Sequence, residues 1–211
     1  TRLDNFDLAQ QDETTGKSAK WEYELYNVLN KNDFSILTLD EFYLQFRTDR
    51  FLAKIGNFFS KHTPFFNQSD GRMRPFAYRG LWVDFQLAKQ HKIEYAWLTH
   101  VLVRSTANWF SFSDAIGLFS QGFQPNGEVA NYANYIQSNG AGIFNYTYEN
   151  KQFEFDFYQF YIDQLMGISF LELNYELKKL KVGLQYAYQF PINNQRQIPY
   201  ENRYIQPDEN A

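Results

Sequence analysis

Residues 81–104 read LWVDFQLAKQHKIEYAWLTHVLVR, and this stretch decides which class of fold the chain adopts. Apolar side chains occupy every second position over residues 81–87, and the same rhythm returns over residues 93–103. Because successive side chains of a β-strand point to opposite faces, each run predicts a strand with one apolar and one polar face. The short polar link at residues 89–91 predicts that the two strands form a hairpin.

Three further segments repeat this rhythm, so the sequence predicts eight strands in four hairpins. The predicted strands are 42–47, 51–56, 81–87, 93–103, 144–148, 153–157, 171–177 and 180–188. The two strands of the hairpin quoted above are longer than the roughly five or six residues that are usual in soluble proteins. The predicted fold class is therefore all-β, with neighbouring strands antiparallel.

The connections between the strands alternate between two lengths. Within each hairpin the link is two to four polar residues, whereas residues 58–77 and 105–140, between hairpins, form long loops. Only the inter-hairpin link around residues 163–167 is short. Short turns at one end and long loops at the other are typical of outer-membrane barrels. We therefore interpret the pattern as an antiparallel up-and-down transmembrane β-barrel.

A soluble β-sandwich also has strands with one apolar and one polar face, so alternation alone does not exclude it. Strand length, loop asymmetry and an aromatic content of 20% favour the membrane barrel. The two interpretations differ in where the apolar face of residues 81–87 points. In a membrane barrel this face contacts lipid, whereas in a sandwich it lies in the core.

Composition argues against several other classes of protein. The chain has no cysteine, which removes disulfide scaffolds, thiolate zinc sites and cysteine nucleophiles. Its net charge of -4 and its scattered basic residues give no footprint for nucleic acid, which is not an expected partner. The three histidines lack the spacing of metal ligands, and no phosphate-binding loop or nucleophile motif is present. We therefore predict a protein that is not an enzyme and that uses no cofactor or metal.

The segment 51–80 carries a series of short motifs. They are Lys54-Ile55-Gly56, Thr63-Pro64-Phe65-Phe66-Asn67, Asp70-Gly71-Arg72-Met73-Arg74-Pro75 and Tyr78-Arg79-Gly80. This order of motifs resembles the OprD-type porins of Gram-negative outer membranes. The resemblance is specific over residues 36–104, and over residues 140–190 only the hairpin rhythm matches.

The resemblance implies a protein of the Gram-negative cell outer membrane, with membrane lipid and small-molecule solutes as its partners. It implies an eighteen-stranded monomeric barrel whose lumen is narrowed by infolded loops and passes small solutes without energy input. Eighteen strands of about 10 residues need about 180 residues before any loop, and this chain has used the available length by strand eight.

We therefore expect a single partial barrel domain, which is an internal fragment of a larger porin. In this interpretation residues 1–35 form a loop with local structure, residues 36–190 form the four hairpins, and residues 191–211 form a truncated loop. A complete eight-stranded barrel is the competing interpretation, and its interior would be filled by its own side chains.

The working residues of a porin are those that set charge and width at the narrowest point. Arg72 and Arg74, in the loop 58–77, project to the same side if the segment is extended, and with Asp70 they would set a transverse field. Alternatively, the two arginines would form ion pairs with carboxylates of the lumen and so fix the loop in place. This structural role explains their presence equally well.

Four further residues are candidates for the pore lining because they lie on the polar faces of strands or at their ends: Asp84, Glu94, His100 and Arg104. Acidic residues outnumber basic ones on these polar faces. The sequence therefore predicts no basic wall, and it leaves the charge preference of the channel open.

The alternative function is a non-conducting binding module, built as a small closed barrel or a soluble β-sandwich. In that case Trp109, Phe110 and Phe112 would be exposed and would contact carbohydrate or a protein partner. Packing of these rings within their own loop is the simpler explanation for the cluster.

Overall fold

The computed structural model describes residues 37–59, 61, 63–66, 76–103, 106–118, 135–192 and 199. The predicted loop with local structure, residues 1–35, lies outside these ranges, as does most of residues 191–211. Within the described ranges the chain forms nine strands and one short helix. They are β1 Phe42–Arg47, β2 Phe51–Phe59, β3 Ala77–Ala88, β4 His91–Leu102, β5 Trp109–Ser111, α1 Phe112–Ala115, β6 Ala141–Glu149, β7 Phe153–Ile162, β8 Met166–Leu177 and β9 Leu180–Pro191.

All nine strands belong to one antiparallel sheet. The strand order is β1-β2-β3-β4-β6-β7-β8-β9, and β5 pairs with the end of β4 beyond β6. Each long strand therefore pairs with its neighbours in sequence, which confirms the prediction of an all-β, up-and-down antiparallel fold. The eight predicted strands correspond to the eight long strands, while β5 and α1 lie inside the predicted long loop 105–140.

Polar side chains stabilise the short turns by accepting hydrogen bonds from backbone N–H groups. At the β1–β2 turn, Thr48 donates its backbone N–H to the Phe51 carbonyl at 2.7 Å, and its hydroxyl accepts from the Phe51 N–H at 3.1 Å. At the β6–β7 turn, Asn150 Oδ1 accepts from the backbone N–H groups of Gln152 and Phe153, both at 2.9 Å. These local bonds explain why two or three polar residues suffice to reverse the chain.

The sheet has two unlike faces. On β3, Phe85 is 40% exposed whereas Trp82, which points to the opposite side, is 3% exposed. We call the face with Phe85 the outer face and the face with Trp82 the inner face. Large apolar side chains remain exposed on the outer face across the sheet, among them Phe42, Leu44, Leu87, Tyr95, Phe144, Tyr175, Leu184 and Tyr186.

The inner face is divided along its length. Towards the long loops it is apolar, with Phe58, Leu98, Ile143 and Phe160 nearly fully buried. Towards the short turns it carries charged and amide side chains, which form the candidate site described below. An inner face that changes from apolar to polar along the strands is unlike the uniformly apolar core of a soluble sandwich.

The aromatic cluster of the loop 105–140 contributes to the buried interior. Phe110 and Phe112 are only 5% and 8% exposed, and both belong to the hydrophobic core. Trp109 is half-buried. The two phenylalanines are therefore not exposed for a partner, and they pack in the core with residues of the long strands instead of only within their own loop.

The sheet ends in two free edges, because β1 and β9 each have one strand neighbour among the described residues. No helix in the described part of the chain is long and apolar enough to cross a membrane.

The short turn between β7 and β8 is organised by Asp163, which is buried. Its carboxylate accepts hydrogen bonds from the Asn139 backbone N–H at 3.0 Å, from Asn139 Nδ2 at 2.7 Å and from the Tyr161 hydroxyl at 3.0 Å. Burial raises the pKa of Asp163, but these hydrogen bonds together outweigh burial and leave the pKa below its usual value. The ionised carboxylate thus ties the approach to β6 to the β7–β8 turn.

Protonation of Asp163 should weaken this end of the sheet. Because the folded-state pKa is lowered, the stabilisation is fully present above the usual carboxyl value of about 4 and is lost as the pH falls through the folded-state pKa. We expect Asp163→Asn to lower the free energy of unfolding by about 2 kcal/mol at neutral pH and to reduce its decline in acid. Urea unfolding in detergent at two pH values checks this, and an unchanged pH dependence in the variant would contradict it.

Candidate channel wall

A charged cluster lies on the inner face between β3 and β4. Asp84 and Glu94 are paired in register, so their carboxylates are neighbours on the same face. Lys61, from the segment after β2, forms ion pairs with Asp84 and with Glu94, and its Nζ lies 3.3 Å from Glu94 Oε1. Lys92 Nζ lies 2.6 Å from the same Glu94 oxygen. We call Lys61, Asp84, Lys92 and Glu94 the charged cluster.

The two lysines offset the repulsion between the two carboxylates. Like charges that face each other across neighbouring strands destabilise a sheet, and an opposite charge within about 4 Å removes that cost. Asp84 also accepts a hydrogen bond from Trp82 Nε1 at 2.9 Å, which orients its carboxylate. The Glu94 side chain is only 10% exposed, whereas those of Lys61 and Lys92 are 45% and 38% exposed, so solvent reaches the two lysines more than Glu94.

The segment that carries Lys61 packs against the same face through two phenylalanines. The Phe65 ring stacks on Phe160 with 5.1 Å between ring centres and meets Tyr158 edge-on at 6.2 Å. The centre of the Phe66 ring lies 4.8 Å from that of Tyr78 and 5.4 Å from that of Phe160. The described part of the loop between β2 and β3 therefore lies on the inner face.

Thr63 shapes the turn that presents these rings. Its hydroxyl accepts from the backbone N–H groups of Phe65 at 3.3 Å and of Phe66 at 3.0 Å, and its side chain is buried. A threonine that bonds two and three residues ahead forms a compact turn. The sequence Thr63-Pro64-Phe65-Phe66 thereby holds both rings towards the sheet.

A second polar group, which we call the anionic row, lies on the inner face of β7 and β8. It consists of Glu154, Asp156 and Glu172, of which Asp156 and Glu172 are paired in register. Thr147 Oγ1 donates to Asp156 at 2.6 Å, and Asn174 Nδ2 donates to Glu172 at 3.0 Å and to Glu154 at 3.4 Å. No lysine or arginine among the described residues forms an ion pair with these carboxylates.

Within the described ranges, the inner face therefore combines a neutralised charged cluster with an anionic row that has no lysine or arginine partner. In the described ranges, no three histidine, cysteine, aspartate or glutamate side chains are grouped so as to hold a metal ion. The arrangement provides charge and hydrogen-bonding groups along a wall, which is what a solute pathway requires.

Comparison with known proteins identifies the architecture. No protein-family model and no curated protein matches the sequence. Among solved structures, the outer membrane protein OpdK of Pseudomonas aeruginosa superposes with a TM-score of 0.54 at 14% identity, over 71% of this chain and 37% of OpdK. The fold is that of an OprD-type porin.

Two further structures support this fold. OccAB4 of Acinetobacter baumannii matches with a TM-score of 0.56 at 16% identity, over 72% of this chain and 36% of its own. OccD3 (OpdP) of Pseudomonas aeruginosa matches with a TM-score of 0.56 at 12% identity, over 74% and 36% of the two chains. The chain thus spans little more than a third of the length of these porins, and the resemblance seen in the sequence is confirmed at the level of the fold.

The predicted site residues divide into three groups. Asp70, Arg72, Arg74 and Arg104 lie outside the described residues, so their role stays a prediction. Asp84 and Glu94 lie together in the charged cluster. His100 is described, but it lies on the other face.

The position of His100 follows from an irregularity in the β3–β4 pairing. Gly80 pairs with Leu98, but the next residue, Arg79, pairs with His100, so that Thr99 is an extra residue in β4. The extra residue shifts the alternation. His100 therefore shares the outer face with Arg79 instead of the inner face with Glu94, to which simple alternation assigned it.

Sequence reasoning missed Lys61 and Lys92 as members of the site. Lys92 lies two residues before Glu94 in the same strand, so alternation contained the signal that would have found it. Lys61 lies in a loop, where no periodicity applies, and only the folded structure brings it to Asp84. Pairs of this kind, far apart in sequence, are invisible to pattern analysis.

Proposed function

We propose that this chain forms part of the wall of a passive outer-membrane channel for small solutes in a Gram-negative bacterium. The observation that carries the proposal is the separation of faces. Leu81, Val83, Phe85 and Leu87 lie on the outer face, where an apolar surface suits lipid, and the opposite face bears charged groups. Likeness in fold to OpdK and OccAB4 supports the same function.

We propose further that the loop 58–77 narrows the lumen and contributes to selectivity. Support comes from Lys61, Phe65 and Phe66, which lie on the inner face. In this proposal Asp70, Arg72, Arg74 and Arg104 remain candidates for the constriction, together with Asp84 and Glu94 of the charged cluster. A channel of this kind performs no bond chemistry, so the proposal includes no enzymatic activity and no cofactor.

The working pore in this proposal is a larger barrel than the described sheet. β1 and β9 each leave one edge unpaired among the described residues, and an unpaired backbone group in a bilayer costs several kcal/mol. Further strands that pair with both edges would remove this cost. The resemblance to OprD-type porins favours a barrel that closes within a single chain, hence a monomer.

Single-channel recording in planar bilayers tests the proposed function. The protein should be produced from its complete reading frame and refolded in detergent, with a heat-unfolded sample as control. We expect stepwise, persistent conductance from the folded sample only. A folded barrel that gives no conductance would contradict the channel and favour the non-conducting binding barrel. No contact among the described residues specifically supports that alternative.

A further inference from the structure

The outer face carries a basic and aromatic group at the long-loop ends of β3 and β4. Arg79 pairs in register with His100, and His100 pairs with Ser111 of β5. The guanidinium carbon of Arg79 lies 5.0 Å from the centre of the Trp109 ring. We call Arg79, His100 and Trp109 the outer patch.

Arg79 is held in place, and no carboxylate of the described residues neutralises its charge. Its Nε donates to Asn57 Oδ1 at 2.8 Å, which fixes the plane of the guanidinium and leaves its terminal nitrogens to donate elsewhere. No carboxylate pairs with Arg79 in the part of the chain that the structure describes.

Two acidic side chains on neighbouring segments are engaged with other groups, while Asp40 Oδ1 is buried without a hydrogen-bond partner among the described residues. Asp114 accepts from the Ser111 hydroxyl at 2.6 Å, and Glu41 accepts from the backbone N–H of Phe59 at 3.4 Å. A half-buried guanidinium without a carboxylate partner is costly unless an external anion neutralises it. The position of Arg79 indicates which anion is available.

Two aromatic rings lie together on the outer face near the long-loop ends of the strands. Trp97 and Tyr161 lie with ring centres 6.3 Å apart, and a Cβ added at Gly142 would lie 3.3 Å from the Trp97 ring, so the indole rests flat against the sheet. Tryptophan and tyrosine concentrate at the headgroup level of membrane barrels.

The outer patch lies just beyond this level, on the side of the long loops. Trp97 pairs with Leu81, and Arg79 lies two residues further along β3, which places it about 7 Å towards the loops. In outer-membrane barrels the long loops are extracellular, so this end of the sheet meets the outer leaflet. Arg79 would therefore lie at the depth of the charged headgroups of that leaflet.

We propose that the outer patch binds a phosphate group of an outer-leaflet lipid. The proposal rests on the proposed function, because it requires the outer face to contact lipid. A guanidinium donates paired N–H groups to phosphate oxygens, and basic side chains at a membrane surface are attracted to anionic headgroups. The outer leaflet of Gram-negative outer membranes is built of phosphorylated glycolipid, which supplies phosphate at this depth. Trp109 makes a cation–π contact with the guanidinium and helps to hold it in place.

Native mass spectrometry of the full-length protein in detergent tests this inference. The probes are bis-phosphorylated lipid A, the same lipid after enzymatic dephosphorylation, and inorganic phosphate. Arg79→Gln is compared with Arg50→Gln, which removes an exposed arginine from the short β1–β2 turn at the opposite end of the sheet. We expect Arg79→Gln to lower the affinity for phosphorylated lipid A about fivefold. Arg50→Gln should leave that affinity unchanged, and the affinity for the dephosphorylated lipid should be the same in wild type and in Arg79→Gln.

Two results would overturn the inference. One is equal retention of phosphorylated lipid A by wild type and by a folded Arg79→Gln variant. The other is displacement of the lipid by low-millimolar inorganic phosphate, since that would indicate a general anion site. Failure of the channel is distinguishable, because a protein that conducts normally but shows no Arg79-dependent lipid binding contradicts only this inference. A protein that binds the lipid but never conducts contradicts only the channel.

Discussion

Replacement of Gly80 by valine should prevent the sheet from forming between β3 and β4. At this position the two backbones approach so closely that an added Cβ would lie 2.8 Å from the Cα of Leu98 and closer still to the Trp97 carbonyl. Backbone atoms cannot move aside as a flexible side chain can, so the strands would have to separate. We expect the free energy of unfolding to fall by about 3 kcal/mol or more, which is the upper end of the range for overpacking a protein interior.

Gly183→Val is the matched control for this experiment. A Cβ at Gly183 would lie 2.9 Å from Asn174 Oδ1, the end of a side chain that can rotate, and β9 is exposed. The folded fraction of both variants can be read from heat-modifiable mobility on gels and from urea unfolding in detergent. A folded Gly80→Val variant with wild-type stability would contradict the register of β3 and β4.

Removal of the Lys61 charge should shift the channel towards cations. Asp84 loses its lysine partner in Lys61→Gln, while Glu94 keeps Lys92. One unit charge acting on an ion about 4 Å away in water contributes about 1 kcal/mol, which corresponds to a change of about fivefold in the cation-to-anion permeability ratio. The reversal potential of single channels under a salt gradient measures this ratio.

Two variants control for effects unrelated to the position of the charge. Lys61→Arg keeps the charge and should retain the wild-type ratio. Lys89→Gln removes a lysine from the exposed β3–β4 turn, and it should change the ratio much less. Equal shifts in Lys61→Gln and Lys89→Gln would show that Lys61 does not lie near the path of the ions.

The sequence predicted the strands well because their alternation reflects two unlike environments. The alternating residues 81–87 fall within β3 and the rhythm of residues 171–177 within β8, since one face of each strand is apolar and exposed. Strand starts were less accurate. β3 begins at Ala77 and β8 at Met166, several residues earlier than predicted. Towards the long loops the inner face becomes apolar and the outer face holds small or polar residues such as Arg79 and Ser169, so the alternation of the rest of each strand is not continued there.

The parts of the site that the sequence did not predict depend on contacts between distant segments. The extra residue Thr99 reverses the face of His100, and no local pattern signals a bulge of this kind. β5 has only three residues and pairs with β4 from within a predicted loop, too short to show a period. The ion pairs of Lys61 likewise arise only when the loop after β2 packs onto the inner face.

Thiol modification of single channels tests the central claim most directly. These 211 residues contain no cysteine, so within them a single introduced thiol is unambiguous, and the protein without the introduced thiol is the control. Glu172 and Leu171 are adjacent in the middle of β8 and point to the inner and outer faces. A charged, water-soluble thiol reagent should reduce the current through Glu172→Cys channels and leave Leu171→Cys channels unchanged. A current that responds to the reagent at Leu171→Cys but not at Glu172→Cys would contradict the assignment of the inner face to the lumen.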